Sequence, residues 1–337
     1  DLVDGDSRAA YKTFSNDFRS YKRLKMFVHA EALSDNSSIL SDGDLSVFIR
    51  LGMDFNSNYY EYEIPLKLTP NNVSVLDDNL IWPTENELDI YFETFQNAKK
   101  NRNQAIIDGL IEDVQDIWVQ ADGKNTVRVI GNPNLSQVKT IMLGVRNPKK
   151  GTQQFSDYGN DDGLSKSGEI WVNELRLTEF DEKGGVAANA RVNARLADFA
   201  NLNLSTSIST VGFGSIEESV TTRQKYNAFQ YDISSTFSLG EFFPKKSNIK
   251  IPMYVGYSES IQSPQYNPLD PDITLKESLS QLQSKEEKDS LKAISQDYTQ
   301  RKSINFSNIR KGKTLNSKNK TKVYSPENFS ATYSYNE

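Results

Sequence analysis

The residues of this chain that could do chemistry are few, and their types restrict what that chemistry can be. His29 is the one histidine, and there is no cysteine among 337 residues. A zinc site or a Ser-His-Asp triad therefore has almost no raw material, and disulfide bonds are excluded. His29 lies on the charged side of an alternating run, which predicts a solvated surface residue. Asp42 and Asp44 are paired carboxylates, but nothing in the sequence sets two of them around a cleft, so a solvated turn is the better reading. Asp157, Asn160, Asp161 and Asp162, in the Gly-rich stretch 151–163, could offer oxygen ligands to calcium. Their spacing misses the EF-hand loop, whose closing glutamate has no counterpart, so a solvated loop is preferred over a metal site. Gly212-Phe213-Gly214-Ser215 is too short for a dinucleotide fingerprint and has no βαβ unit around it, which leaves a turn at the rim of a sheet. Lys311, Lys313, Lys318, Lys320 and Lys322 could meet lipopolysaccharide phosphates, with a plain solvated loop the simpler account. No P-loop is present. The expectation is a protein with no catalytic residue and no cofactor.

The elements that carry these residues are strands. From Val186 onward, apolar and small polar residues alternate with the side-chain period of an extended strand. Val186, Ala188, Ala190, Val192, Ala194 and Leu196 share one face, opposite Asn189, Arg191, Asn193 and Arg195. Leu202, Leu204 and Ile208 follow, opposite Asn201, Asn203, Ser205, Ser207 and Ser209. Phe229, Tyr231, Ile233, Phe237 and Leu239 continue, opposite Gln230, Asp232, Ser234, Thr236 and Ser238. A tilted strand crosses a bilayer in roughly 9–11 residues. Apolar-out, polar-in strands with aromatic ends are the mark of an outer-membrane barrel, so the apolar set is expected to face lipid. A core strand of a soluble sandwich would alternate in the same way.

Composition sets outer limits. Hydrophobic residues make up 36% and charged residues 25%, which suits a soluble protein or a barrel with half-apolar strands. No run reaches the ~18 uninterrupted apolar residues of a membrane helix. A net charge of -6 gives no reason to expect nucleic acid as a partner. The chain starts at Asp1 without a signal-like segment, and it stops just after the alternation Phe329, Ala331, Tyr333, Tyr335; both features are expected of a fragment.

Residues 1–183 read differently, because their strands carry full charges on the polar face, as in antiparallel sheets with one face in water. Leu24 to Ala32, Leu45 to Met53, Tyr60 to Leu68, Thr140–Val145 and Glu169–Leu177 are the strand segments, and Asp122-Gly123-Lys124 is a hairpin turn. A helical insert is expected over about 84–115, with Thr84 and Glu87 at capping-box spacing and Leu88, Tyr91, Phe92 and Phe95 on one face. A short second helix is read through Ile106, Ile107, Leu110 and Ile111. Residues 184–337 are expected to hold the wall strands, with a loop insert at 263–300, polar helix from Leu275 to Tyr298, and a basic loop at 310–322. The fold class is all-β with helical inserts: a jelly-roll-like β-sandwich followed by antiparallel strands of a very large transmembrane barrel.

Specific words add to the pattern. The run Gly168-Glu169-Ile170-Trp171-Val172-Asn173-Glu174-Leu175-Arg176-Leu177 is followed by Arg195-Leu196-Ala197-Asp198 and Thr210-Val211-Gly212-Phe213-Gly214-Ser215. Ile251-Pro252-Met253-Tyr254, Tyr266-Asn267-Pro268-Leu269-Asp270-Pro271-Asp272 and Tyr324-Ser325-Pro326-Glu327-Asn328-Phe329-Ser330 come later. Together they resemble the SprA/Sov family, giant outer-membrane proteins of type 9 secretion and gliding motility, densely from residue 168 on and more diffusely before it. The resemblance implies a passive protein-conducting translocon built as a barrel of about 36 strands, without catalytic residues. It implies as partners the other strands of a longer chain, accessory outer-membrane and periplasmic proteins, secreted cargo and membrane lipid. It also implies an outer-membrane location, and the loop-length rule puts the first domain outside the cell. The alternative is a soluble secreted β-sandwich module that binds carbohydrate or peptide.

Overall fold

The computed structural model describes residues 1–33, 40–70, 77–151, 162–313 and 322–337. The chain divides into two compact units, residues Asp1–Asp181 with Leu269–Ile273, and residues Glu182–Pro268 with Thr274–Glu337.

In the first unit the strands are β1 (Ser7–Asn16), β2 (Tyr21–Ala32), β3 (Ser46–Gly52), β4 (Tyr59–Pro65), β5 (Leu88–Tyr91), β6 (Trp118–Asp122), β7 (Asn125–Ile130), β8 (Val138–Arg146) and β9 (Gly168–Phe180). The helices are α1 (Asp78–Ile81) and α2 (Phe92–Ile107). A six-stranded sheet runs β1-β8-β3-β4-β7-β6 and a three-stranded sheet runs β5-β2-β9, with antiparallel pairing throughout. Alternation decides which side chains go inward. Val47, Ile49 and Leu51 of β3 and Tyr60, Tyr62 and Ile64 of β4 join Leu24, Met26 and Val28 of β2 in one apolar cluster, to which α2 adds Phe92, Phe95 and Ala98. Each fully buried side chain of this size contributes roughly 1.5–3 kcal/mol.

The other face of β4 is not the solvated surface that its charges suggest. Glu61 and Glu63 are fully buried. Glu61 accepts hydrogen bonds from Nη1 of Arg128 at 2.7 Å and of Arg146 at 3.0 Å, and from Arg50. Glu63 accepts from the Ser46 hydroxyl and from the same two arginines. The guanidiniums of Arg146 and Arg50 lie 4.5 Å and 4.3 Å from the Phe48 and Tyr59 ring centres. Burial pushes the Glu61 carboxyl up, but the Arg146 and Arg128 charges outweigh it and hold the group at about 2, against an ordinary 4.5. A depressed carboxylate stabilises the fold fully above its unfolded value and loses that contribution as pH falls through the folded one. We therefore expect the urea midpoint to drop between pH 4.5 and about 2. The wild type should lose about 3 kcal/mol more over that range than Glu61→Gln does. Equal slopes for the two proteins would contradict this.

A short segment from late in the chain completes the first unit. Within Leu269–Ile273, the Asp272 carboxylate accepts from the Tyr60 hydroxyl at 2.5 Å, the Leu135 N–H at 2.6 Å and Lys99 Nζ at 3.3 Å. Lys99, itself buried, also donates to Asp270 at 2.6 Å and to the Pro133 carbonyl at 2.9 Å. Arg19 donates to the Pro271 carbonyl at 3.2 Å. Burial raises the Asp272 carboxyl above its ordinary value, with Lys99 and the two hydrogen-bond donors opposing the rise.

Several expectations need correction here. Thr84–Asn86 is a single 3-10 turn, and Leu88–Tyr91 is strand β5, so the helix begins only at Phe92. Leu88 and Ile90 satisfy period two as well as helical spacing, and the free edge of β2 takes them by pairing Met26 with Leu88 and Leu24 with Ile90. There is no second helix at 106–111. Gly109, at φ +71°, donates to the Ile106 carbonyl and Leu110 to that of Ala105, which terminates α2. His29 is buried, not solvated: Nδ1 donates to the Ile81 carbonyl at 2.8 Å, and the ring lies beside Trp82 and Trp171. Asp44 is likewise buried, against Lys166 at 2.9 Å.

Candidate functional site

The second unit is a single antiparallel sheet. Its strands are β10 (Ala187–Leu196), β11 (Ala200–Ser209), β12 (Tyr226–Ser238), β13 (Ile249–Lys250), β14 (Pro252–Pro264), β17 (Asp297–Lys311) and β18 (Ser330–Asn336). The short strands β15 (Tyr266–Asn267) and β16 (Asp270–Thr274) come between β14 and β17, as do α3 (Leu275–Gln281) and α4 (Lys285–Ser295). The polar stretch expected as one helix to Tyr298 is thus two helices, each started by its own capping box, Thr274 with Glu277 and Ser284 with Glu287. Tyr298 belongs to strand β17.

The sheet order is β10-β11-β12-β14-β17, with β18 also paired to β17. Ser303–Phe306 pair with β14 and with β18, which therefore lie on opposite sides of β17. Directly opposed residues share a face. One row runs Val192–Leu204–Ile233–Tyr257–Lys302, and the next runs Ala194–Leu202–Ser235–Val255–Ile304–Tyr335. A third runs Leu196–Ala200–Phe237–Met253–Phe306–Tyr333. On the other side of Val192 come Ala190–Thr206–Tyr231–Glu259–Gln300, then Ala188–Ile208–Phe229–Ile261–Tyr298. The opposite face carries Arg191, Asn193, Ser205, Asn203, Asp232, Ser234, Ser258, Gly256, Arg301 and Ser303.

The structure therefore brings the apolar residues of separate strands into one continuous surface. Val192, Leu196, Leu202, Leu204, Ile208, Phe229 and Ile233 on it are all exposed, with Val192 at 54%. The short polar side chains on this surface are tied to backbone: the Thr206 hydroxyl donates to the Gln230 carbonyl at 3.1 Å and that of Ser235 to Asn201 at 3.0 Å. Two candidate residues lie outside the strands. Val186 precedes β10, where its N–H donates to the Thr210 hydroxyl at 2.8 Å. Leu239 sits beyond β12 in a 3-10 turn, Leu239–Phe242, because the strand ends at Ser238, and its place on the strand face is withdrawn.

One feature of this face was missed in the sequence. Glu259 accepts hydrogen bonds from the hydroxyls of Tyr231 and Tyr298 and from Tyr257 at 3.3 Å. Gln300 Nε2 donates to the Tyr257 hydroxyl at 2.7 Å, and Lys302 pairs with Glu337 at 3.6 Å. The groups around Glu259 come from three strands and Glu337 follows a fourth, so they meet only through register. At the other end of the strands, Phe199 packs against Phe237 and Phe242 with ring centres 5.7 Å and 4.9 Å apart.

Among the remaining chemical candidates, Asp162 and Gly212 hold local structure. Asp157, Asn160 and Asp161 lie outside the described residues, and Asp162 caps the Leu164 N–H at 2.8 Å and pairs with Lys166 at 2.9 Å. No group of His, Asp and Glu able to hold a metal occurs among the described residues. Gly212 takes φ +85° in a turn, where an added Cβ would come within 2.6 Å of the Lys183 carbonyl oxygen. Lys318 and Lys320 of the basic loop also lie outside the described residues. No described helix is long and apolar enough to cross a membrane, which leaves crossing by strands untouched.

A family model for the N-terminal part of SprA, described as a motility related/secretion protein, matches residues 1–279. The chain belongs to this family. The match covers the whole of the first unit's continuous stretch and the second as far as α3. No curated protein matches the chain. The family ties the chain to motility and secretion, and its fold is strands in antiparallel sheets with few helices.

Proposed function

We propose that the second unit is a piece of the wall of an outer-membrane protein-conducting barrel, serving type 9 secretion and gliding motility as a passive conduit. The observation that carries this reading is the exposed apolar face shared by β10, β11, β12, β14, β17 and β18, set against a face of Ser, Asn, Asp and Arg. Soluble monomers rarely expose a continuous apolar patch beyond a few hundred Å². A bilayer solvates such a face, and a water-filled lumen solvates the other. Among the described residues the outer edges of β10 and β18 have no strand partner, and lipid cannot satisfy their backbone groups, so further strands of a longer chain would complete the wall. Small Ser and Asn side chains on the lumen face leave a wide barrel open to protein-sized cargo.

The jelly-roll-like sandwich of the first unit would act as a cap or docking domain, with accessory outer-membrane and periplasmic proteins as partners. Barrels keep short turns on the periplasmic side and long loops outside. The β10–β11 turn spans only Ala197–Phe199 and shares its rim with the connections 239–251 and 312–329, whereas 210–225 and the longest of all, 265–296, connect strands at the opposite rim. On this reading strand β10 would start at the extracellular rim and the first unit would lie outside the cell. No residue is assigned a catalytic role. Accordingly, His29→Gln and Asp162→Ala should leave export of a reporter cargo intact, while deletion of residues 186–240 should abolish it. Loss of export in either point variant, with normal outer-membrane assembly, would show that the segment is not merely passive structure.

A further inference from the structure

We propose that the outer boundary of the bilayer's apolar core crosses this sheet obliquely, from Ile208 on β11 to Tyr335 on β18, and that the tyrosine-clasped Glu259 sits at headgroup level on that line. The inference rests on the membrane-wall reading and assigns the depth and tilt of its strands. On β10 and β11 the apolar face reaches up through Ala188 and Ile208. On β12 it reaches Phe229, but on β14 it is broken at Glu259, one row lower. On β17 both Gln300 and Lys302 are polar and the apolar run begins at Ile304. On β18 Glu337 stands opposite Lys302, and the apolar run begins at Tyr335.

The polar residues on the two sides of this line differ in kind. Below it they are Thr206 and Ser235, short and bonded to backbone carbonyls. Above it they are Glu259, Gln300, Lys302 and Glu337, three of them ionisable and all long enough to reach water. A boundary parallel to the rows would place Lys302 and Glu337 at the depth of Val192 and Leu204, and Glu259 at that of Ala190 and Thr206, in hydrocarbon, where ionised groups are costly. An oblique boundary puts them among headgroups. Aromatic residues follow the same descent, with Tyr231, Tyr257 and Tyr335 each one row lower than the one before. Tyrosine at the interface presents its ring to lipid and its hydroxyl to water, and here the Tyr231, Tyr257 and Tyr298 hydroxyls turn to Glu259. Ile261 is the one apolar residue above the line, half-buried in the row of Phe229 and Tyr298.

The slope can be checked against barrel geometry. From Ile208 to Tyr335 the line falls by six residues, about 20 Å along the strands, while crossing four strand spacings, about 19 Å. That ratio is a tilt near 45°, within the range of about 35–45° for membrane barrels.

The test is depth-dependent fluorescence quenching in the full-length protein, reconstituted in phosphatidylcholine vesicles with nitroxide on the headgroup or at mid-chain. This chain contains no cysteine, so single cysteines carry the fluorophore and the unsubstituted protein gives the background. Leu204→Cys and Lys302→Cys share a row, yet the label at 204 should lie about 10 Å deeper. Ile208→Cys and Tyr335→Cys, three rows apart, should lie at equal depth; these two keep the pairs readable if the lysine variant misfolds. Equal depth at 204 and 302, with 208 well above 335, would overturn the oblique boundary and leave the membrane face standing. No quenching by either nitroxide at any of the positions would overturn the membrane reading itself.

Discussion

Replacing Lys99 by methionine should destabilise the first unit by about 3–5 kcal/mol, the usual cost of leaving a buried charge without its partner. Lys99 is the only cation beside Asp272 in its set of described hydrogen bonds and ion pairs, and both side chains are almost fully buried. Methionine keeps most of the volume and removes the charge, so packing loss stays small and the electrostatic loss dominates. Asp272 would then take up a proton, and its raised value shows that burial already favours that form. The double variant Lys99→Met, Asp272→Asn should recover part of the loss, because the amide oxygen still accepts from the Leu135 N–H and the amide nitrogen, in place of the second carboxylate oxygen, can donate to the Tyr60 hydroxyl oxygen. Trp82, Trp118 and Trp171 all belong to the first unit, so tryptophan fluorescence during urea unfolding reads this unit alone. A cost below 1 kcal/mol for the single variant would show that the Leu269–Ile273 segment is not held by this ion pair.

Val192→Arg should block outer-membrane assembly, and Asn193→Arg should not. The two positions are adjacent on β10 and face opposite ways, so strand propensity and position along the strand are matched. Arginine at a lipid-facing site near the bilayer centre costs roughly 2–4 kcal/mol, whereas the lumen side, which already carries Arg191 and Arg195, accepts it. The measurement is the heat-resistant folded fraction recovered from outer membranes for each variant. Equal recovery would count against the assignment of the face.

The strands of the second unit were legible in the sequence, because apolar and polar residues alternate along them at period two. The pairing then followed the pattern closely enough to align Val192, Leu204 and Ile233 in one row. What alternation could not show was register, and the Glu259 cluster depends on register, since Tyr231, Glu259 and Tyr298 come from three strands. In the first unit, Glu61 and Glu63 read as solvated because a charged residue on a strand face usually is. Their burial arises from Arg50, Arg128 and Arg146, which neighbouring strands bring over them. His29 misled for a related reason: its partners Ile81 and Thr69 come from a connection whose path local pattern does not encode. Asp270 and Asp272 sit among prolines that break the strand pattern, so they read as loop acids, while tertiary contact makes them part of the first unit's core.

The central claim is that one face of the second unit's sheet meets lipid and the other meets water. Spin labels placed one at a time at residues 188–195 of the assembled protein test it most directly, read by collision with oxygen, which concentrates in lipid, and with a water-soluble nickel chelate. The account predicts strict alternation, with oxygen dominant at Ala188, Ala190, Val192 and Ala194 and nickel dominant at Asn189, Arg191, Asn193 and Arg195. Uniform nickel accessibility along the strand, or alternation in the opposite phase, would contradict it.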